Sequence, residues 1–181
     1  MPEPASLPSP SAGPAWSRYV RRFETVTILL VLVLDQVTKE IVRSALALHE
    51  SVMVIPGMLD FTHVRNTGAA FGLLNAADFP GKTAVMIGIA AVALLAIAAY
   101  GAQLGFHERL ARVGLALILG GALGNLVDRA ARGYVIDFVD VYWRTWHFWA
   151  FNVADAAISI GAVLILLDMI GIGRHHAPHP V

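Results

Sequence analysis

The sequence predicts an all-α integral membrane protein with four transmembrane helices, and three observations carry that expectation. Hydrophobic residues make up 57% of the 181-residue chain and charged residues 14%, where an ordinary soluble domain carries about 25% charged residues. Mean hydropathy is +0.65. Four segments approach the roughly 20 mostly apolar residues that a bilayer crossing needs. The competing expectation, a soluble protein with one buried helix, would confine the charge deficit to one segment, whereas here it runs through the chain. A disordered chain would need low hydrophobicity and high net charge. The length fits one domain. Thirteen basic and thirteen acidic residues cancel, so net charge gives no sign of a nucleic-acid partner. The chain has no cysteine, which excludes disulfides, thiolate metal sites and cysteine nucleophiles.

The elements follow in order. Residues 1–17 hold five of the nine prolines and read as a disordered lead-in. They do not read as a signal peptide, because no charged start leads directly into an apolar run and a cleavage site. The membrane domain is expected over residues 18–172. Its first helix, residues 23–48, starts with an apolar run and then carries Asp35, Lys39, Glu40 and Arg43. The second, residues 84–102, is free of charge along its length. The third, residues 113–127, is apolar except for Asn125 and ends at Asp128 and Arg129. The fourth, residues 151–172, carries Asn152 and Asp155 near its start and Asp168 near its end. Residues 173–181 form a tail with three of the seven histidines. It reads as a solvated terminus or, alternatively, as a metal-binding one.

An even number of crossings puts both termini on one side. Arg18, Arg21 and Arg22, ahead of the first helix, favour a cytoplasmic start. The loop with Arg109 and Arg112 then lies on the same side. The opposite side also holds Arg65, Lys82, Arg132 and Arg144, so the orientation rests on the first helix. The two longer connections fall on the outer side. In the first, residues 51–55 and 59–64 alternate about Gly57 as short strands beside a turn, and Gly68 and Gly72 flank a sharp loop. In the second, Tyr142, Trp143, Trp146, Phe148 and Trp149 form an aromatic cluster suited to a membrane interface.

The polar groups within the spans are the functional candidates, since each charged residue at membrane depth costs roughly 2.5–3.5 kcal/mol on insertion. Asp35 and Lys39, four apart, share a helix face and read as a structural ion pair or as part of a site. Gly121, Asn125 and Asp128 share a face of the third helix, and Gly120 and Gly124 form a small-x-x-x-small packing pattern. Asp128 beside Arg129 fits a charge pair at the helix end. Asn152 fits an N-cap. Asp155 lies one turn inside an apolar helix with no basic residue within four positions. Asp137 sits in the apolar stretch Tyr134-Val-Ile-Asp-Phe-Val139. Two such carboxyls near one membrane face can share a proton, activate water and protonate a leaving amine. Buried acids also serve proton relays and ion pathways, so a small transporter remains open at this point, as does a scaffold packed through Gly120 and Gly124. Asp168 has no assigned role and is expected to be exposed at the interface. The sequence contains no H-E-x-x-H, no Gly-x-Ser-x-Gly and no phosphate loop.

Five blocks, in order from Asp35 to Gly161, carry a family resemblance. They are Asp35-Gln-Val-Thr-Lys39, Asn66-Thr-Gly-Ala-Ala-Phe-Gly72, Gly120-Gly-Ala-Leu-Gly-Asn-Leu-Val-Asp-Arg129, Gly133-Tyr-Val-Ile-Asp-Phe138 and Phe151-Asn-Val-Ala-Asp155. With them the chain resembles lipoprotein signal peptidase, the type II signal peptidase of bacteria. Trp149 stands where that pattern has proline. The resemblance implies four transmembrane helices with cytoplasmic termini, a small extracytoplasmic β-sheet platform and residence in the bacterial inner membrane. It implies an aspartic endopeptidase, needing neither metal nor cofactor, that cleaves diacylglyceryl-modified prolipoproteins just before the lipidated cysteine. Asp137 and Asp155 are implied as the catalytic pair. Asn66, Asn125, Asp128, Arg129 and Asn152 are implied as a polar shell that binds substrate backbone and orients the acids. Gly68, in the 66–72 loop, would help cradle the peptide, and Asp35 and Lys39 would support the site from beneath. The implied contacts are prolipoproteins, membrane lipids and globomycin-type cyclic peptide inhibitors. A monomer would suffice.

Overall fold

A computed structural model describes residues 15–68, 79–105 and 108–172 of the chain, with side chains from residue 22 onward. Its elements are α1 Ala15–Ala45, β1 Ser51–Ile55, β2 Leu59–Asn66, α2 Lys82–Gln103, α3 Arg109–Arg132, β3 Val135–Trp143, β4 Trp146–His147 and α4 Val153–Met169. All four expected helices form. α2 and α3 are long and apolar enough to cross a membrane. α1 carries charges at both ends, Arg18, Arg21, Arg22 and Glu24 before its apolar run and Asp35, Lys39, Glu40 and Arg43 after it, and α4 has 17 residues.

α3 is the centre of the bundle because glycine lets its backbone approach two neighbours. A Cβ at Gly114 or Gly121 would collide with the carbonyls of Gly161 or Ala154 on α4. A Cβ at Gly120 or Gly124 would press on Ile28 and Val31, or on the Asp35 carboxylate, of α1. The small-residue pattern therefore packs α3 onto α1. α2 leans on α3 through Leu104, Ala111 and Leu115 and otherwise turns its side chains outward, with Val92 68% and Leu95 72% exposed.

The four strands form one antiparallel sheet in the order β1-β2-β3-β4. The strands expected around Gly57 are β1 and β2. β3 and β4 were not expected. The stretch read only as apolar is the strand Val135–Trp143, rich in β-branched and aromatic residues, as strands are. Gly133 makes its position possible. It ends α3 in the left-handed region (φ 79°), its N–H bonding the Arg129 carbonyl, and turns the chain into β3. Ile136 and Phe138 then pack on Val42 of α1 and anchor the sheet to the bundle.

α4 starts at a capping box. Asn152 accepts from the Asp155 N–H, and the Asp155 carboxylate accepts from the Asn152 N–H. At the other end Asp168, expected to be exposed, is 2% exposed. The correction follows from helical spacing. Ile165 faces α3 beside Gly114, and Asp168, three residues on, shares that face.

Candidate active site

Asp137 and Asp155 arrive from different elements, the strand β3 and the first turn of α4, and one side chain joins them. Asn152 Nδ2 donates to Asp137 Oδ1 at 2.7 Å while its Oδ1 accepts from the Asp155 N–H at 2.9 Å. The residue that caps α4 thus also holds the opposing acid. The other carboxyl oxygens are engaged too. Asn66 Nδ2 donates to Asp137 Oδ2 at 3.0 Å. Asn125 Nδ2 donates to Asp155 Oδ1 at 2.9 Å. The Asn152 N–H donates to Asp155 Oδ2 at 3.3 Å. Asp137 is buried, and Asp155 is partly exposed.

Beneath them lies a buried charge cluster. Lys39 Nζ, fully buried, reaches Asp35 Oδ2 at 2.7 Å, Asp128 Oδ2 at 2.8 Å and Asn125 Oδ1 at 2.9 Å. It donates hydrogen bonds to Asp35 and Asn125, and the Asp128 contact is an ion pair without a hydrogen bond. Asp35 Oδ1 accepts from the Ala154 N–H at 2.9 Å, tying α1 to the first turn of α4. Asp128 does not pair with its neighbour Arg129. Adjacent helical positions face apart, and it pairs instead with Lys39 and with Arg132, four residues on.

Arg129 is aimed at the segment after β2. Its Nη2 donates to the Gly68 carbonyl at 2.7 Å and its Nη1 to the Asn125 carbonyl at 3.3 Å. Asn66 Oδ1 accepts from the Gly68 N–H at 3.0 Å, an Asx turn that fixes the start of the loop. Residues 69–72 of the loop read from the sequence lie outside the described residues.

The proton affinity of Asp137, on the strand outside the helices, is pushed up from 3.8 to about 7. Burial is the main cause and the Asp155 charge the second. The hydrogen bonds from Asn66 and Asn152 oppose both. A carboxyl that keeps its proton up to about neutral pH in a substantial fraction of molecules, joined through one amide to a more exposed carboxyl, is a pair able to donate one proton and accept another. Among the described residues no group of three His, Cys, Asp or Glu side chains could hold a metal ion.

The structure thus brings together the ten residues singled out from the sequence: the two acids, Asn66, Gly68, Asn125, Asp128, Arg129 and Asn152 around them, and Asp35 and Lys39 below. Two further residues belong to the cluster. Gln36 Nε2 donates to Asp35, Asp128 and the Gly124 carbonyl, and Arg132 pairs with Asp128. The i,i+4 spacing from Asp128 was a usable signal for Arg132. Nothing in the sequence signalled that Gln36 reaches another helix.

The chain is similar to known proteins over most of its length. The family described as signal peptidase (SPase) II matches residues 27–171. A lipoprotein signal peptidase of Geobacter metallireducens is 46% identical over 149 residues, covering 82% of this chain and 91% of the relative. One from Pseudomonas putida is 43% identical over 165 residues, covering 90% and 93%. A bacterial membrane enzyme solved by the in meso method at 2.3 Å superposes with a TM-score of 0.75 at 31% identity, covering 88% of this chain and 94% of its own.

Proposed function

The chain belongs to the signal peptidase II family, and from that premise we propose that Asp137 and Asp155 are the catalytic pair of an aspartic endopeptidase. The protein is a membrane peptidase that cleaves signal peptides from prolipoproteins. The observation that carries the aspartic reading is the pair itself: a buried acid with proton affinity near neutrality and a more exposed one, bridged by Asn152.

The chemistry follows from the asymmetry. Asp155, the more exposed acid, takes a proton from a water as that water attacks the scissile carbonyl. Asp137 gives its proton to the carbonyl oxygen, leaving a neutral tetrahedral diol. Collapse breaks the C–N bond as Asp155 gives the proton it took to the leaving nitrogen and Asp137 takes one back from a diol hydroxyl, leaving a free carboxyl and the new amino terminus on the lipidated cysteine. No covalent acyl-enzyme forms. Asn66, Asn125 and Asn152 hold the acids in place, and Arg129 with the Gly68 backbone supports the loop over the peptide.

The wider reading places residues 18–172 as the membrane domain, with four crossings, cytoplasmic termini and residence in the bacterial inner membrane. Residues 1–17 and 173–181 are tails outside the catalytic unit. The sheet and dyad lie at the outer surface, where a cysteine carrying a diacylglyceryl group sits in the outer leaflet and water can still reach the acids. A monomer acts alone, and globomycin-type cyclic peptides occupy the cleft. The transporter alternative has no support: the matched relatives are peptidases.

The test is cleavage of a diacylglyceryl-modified prolipoprotein by purified protein, with and without globomycin. A mobility shift by wild type that globomycin and each of Asp137→Asn and Asp155→Asn abolish is the expected result. Cleavage surviving either substitution in folded protein rejects the pair.

A further inference from the structure

The Lys39 ammonium is fully buried, so it meets neither substrate nor bulk water. A buried lysine is costly unless its charge is paired and its protons are taken up; this one donates to Asp35 and Asn125 and lies within ion-pair distance of Asp128. The contact to Asn125 is the informative one. The two ends of an amide have nearly the same shape, and its orientation is set by what surrounds it. Lys39 offers only donors, so Asn125 must turn its oxygen toward Lys39. Its NH2 then faces Asp155 Oδ1, at 2.9 Å. The opposite orientation would set an NH2 against an ammonium and an oxygen against a carboxyl. The same cluster sets the backbone beside Asp155, because Asp35, held by Lys39, accepts from the N–H of Ala154.

Building on the Asp137–Asp155 reading, we propose that Lys39 is a positioning residue for Asp155, acting through the amide of Asn125. It selects which end of that amide meets the acid. Lys39 thereby controls turnover from a place that substrate does not touch. Asn125 is the transmitting group, and Asn152, whose Nδ2 lies 3.4 Å from Asn125 Oδ1, reinforces the same orientation.

A kinetic double-mutant cycle tests this. Lys39→Met, Asn125→Ala and the double variant are checked for folding by thermal unfolding in detergent. They are then assayed on a diacylglyceryl-modified prolipoprotein beside Asp137→Asn and Asp155→Asn. Action through Asn125 predicts that Lys39→Met lowers kcat about 100-fold, the scale for a misplaced reacting group. KM should stay within about threefold, and the double variant should be no slower than the slower single. Losses that multiply in the double variant, or a Lys39→Met loss carried by KM, overturn the proposal. Should Lys39→Met not fold, Lys39→Met/Asp128→Asn removes one charge of each sign, keeps the Asp35–Ala154 bond and replaces it in the cycle. Cleavage by Asp137→Asn or Asp155→Asn would bring down the dyad and this proposal together. Inactive acid variants with multiplying losses in the cycle would bring down this proposal alone.

Discussion

α2 and α3 are the two helices apolar enough to cross a membrane, and they meet that requirement in opposite ways. α2 buries only Met86 and Leu94 and turns the rest of its apolar surface outward. α3 buries eight residues, four of them glycines, and one, Asp128, a charged group. α2 presents an apolar surface that suits lipid, and that asks nothing of its sequence but hydrophobicity. α3 is solvated by protein on two sides, so its sequence supplies close approach through glycine and polar groups toward the site. Burial of charge follows the same division. Asp35, Lys39 and Asp128 are all on the helices that pack tightly, where partners can be supplied. α2 carries no charge between Thr83 and Gln103.

That contrast can be broken or sharpened by substitution. The largest effect is expected at the acids the bundle holds. Asp137→Asn and Asp155→Asn should each lower kcat by about 10⁴-fold or more, as for other catalytic groups that act as a unit, with folding retained in circular dichroism. Next comes the charge cluster. Lys39→Met leaves the buried Asp35 carboxylate without a cation, while Asp128 keeps Arg132, and should destabilise the protein by about 3–5 kcal/mol, read from unfolding in detergent. Third is the α3–α4 seam. Gly121→Val drives a side chain into Ala154 and should cost about 1–3 kcal/mol. Gly88→Ala on α2 meets nothing within 4 Å and should be neutral, or stabilising by up to about 1 kcal/mol because alanine is the better helix former. Equal costs at Gly121 and Gly88 would remove the distinction between the two helices.

A pH dependence is expected as well. Asp137 binds its proton more tightly in the folded protein, about 7 against 3.8. Between those values the folded state holds a proton that the unfolded state lacks. This group's contribution is therefore fully present below the lower value and lost as pH rises toward 7. Asp137→Asn should gain thermal stability relative to wild type from pH 4 to pH 7 and no further above it. In wild type, kcat/KM should fall as pH rises through about 7 as the proton donor is lost. A flat difference in melting temperature across that range would contradict the burial of a protonated Asp137.

Much of this was legible in the sequence, for identifiable reasons. The helices were legible because apolar runs carry their own period, and β1 and β2 because they alternate about a glycine turn. The capping role of Asn152 was legible because it is local: Asn followed three residues later by an acid, ahead of an apolar run. Its second bond, to Asp137, was not, since it joins a strand to a helix fifteen residues away in the chain. The same holds for Gln36, which reaches from α1 to Asp128. Asp128 was misread for a geometric reason: Arg129 is next to it in sequence but about 100° around the helix, while Arg132 shares its face. β3 is not legible as a strand because Val135–Phe138 are all buried, which hides the alternation of a half-buried strand. Asp168 reads as exposed from its place near the end of the fourth helix, whereas it is buried and shares a helix face with Ile165, which meets Gly114 of α3.

The central claim is that Asp137 and Asp155 work as one unit, and the double variant Asp137→Asn/Asp155→Asn tests it most directly. Measured as single-turnover cleavage of a lipidated prolipoprotein, the double variant should be no slower than either single variant, since removing one acid already removes the pair. A double variant slower than both singles by the product of their separate losses would mean the two carboxyls act independently, and the account of the site would be wrong.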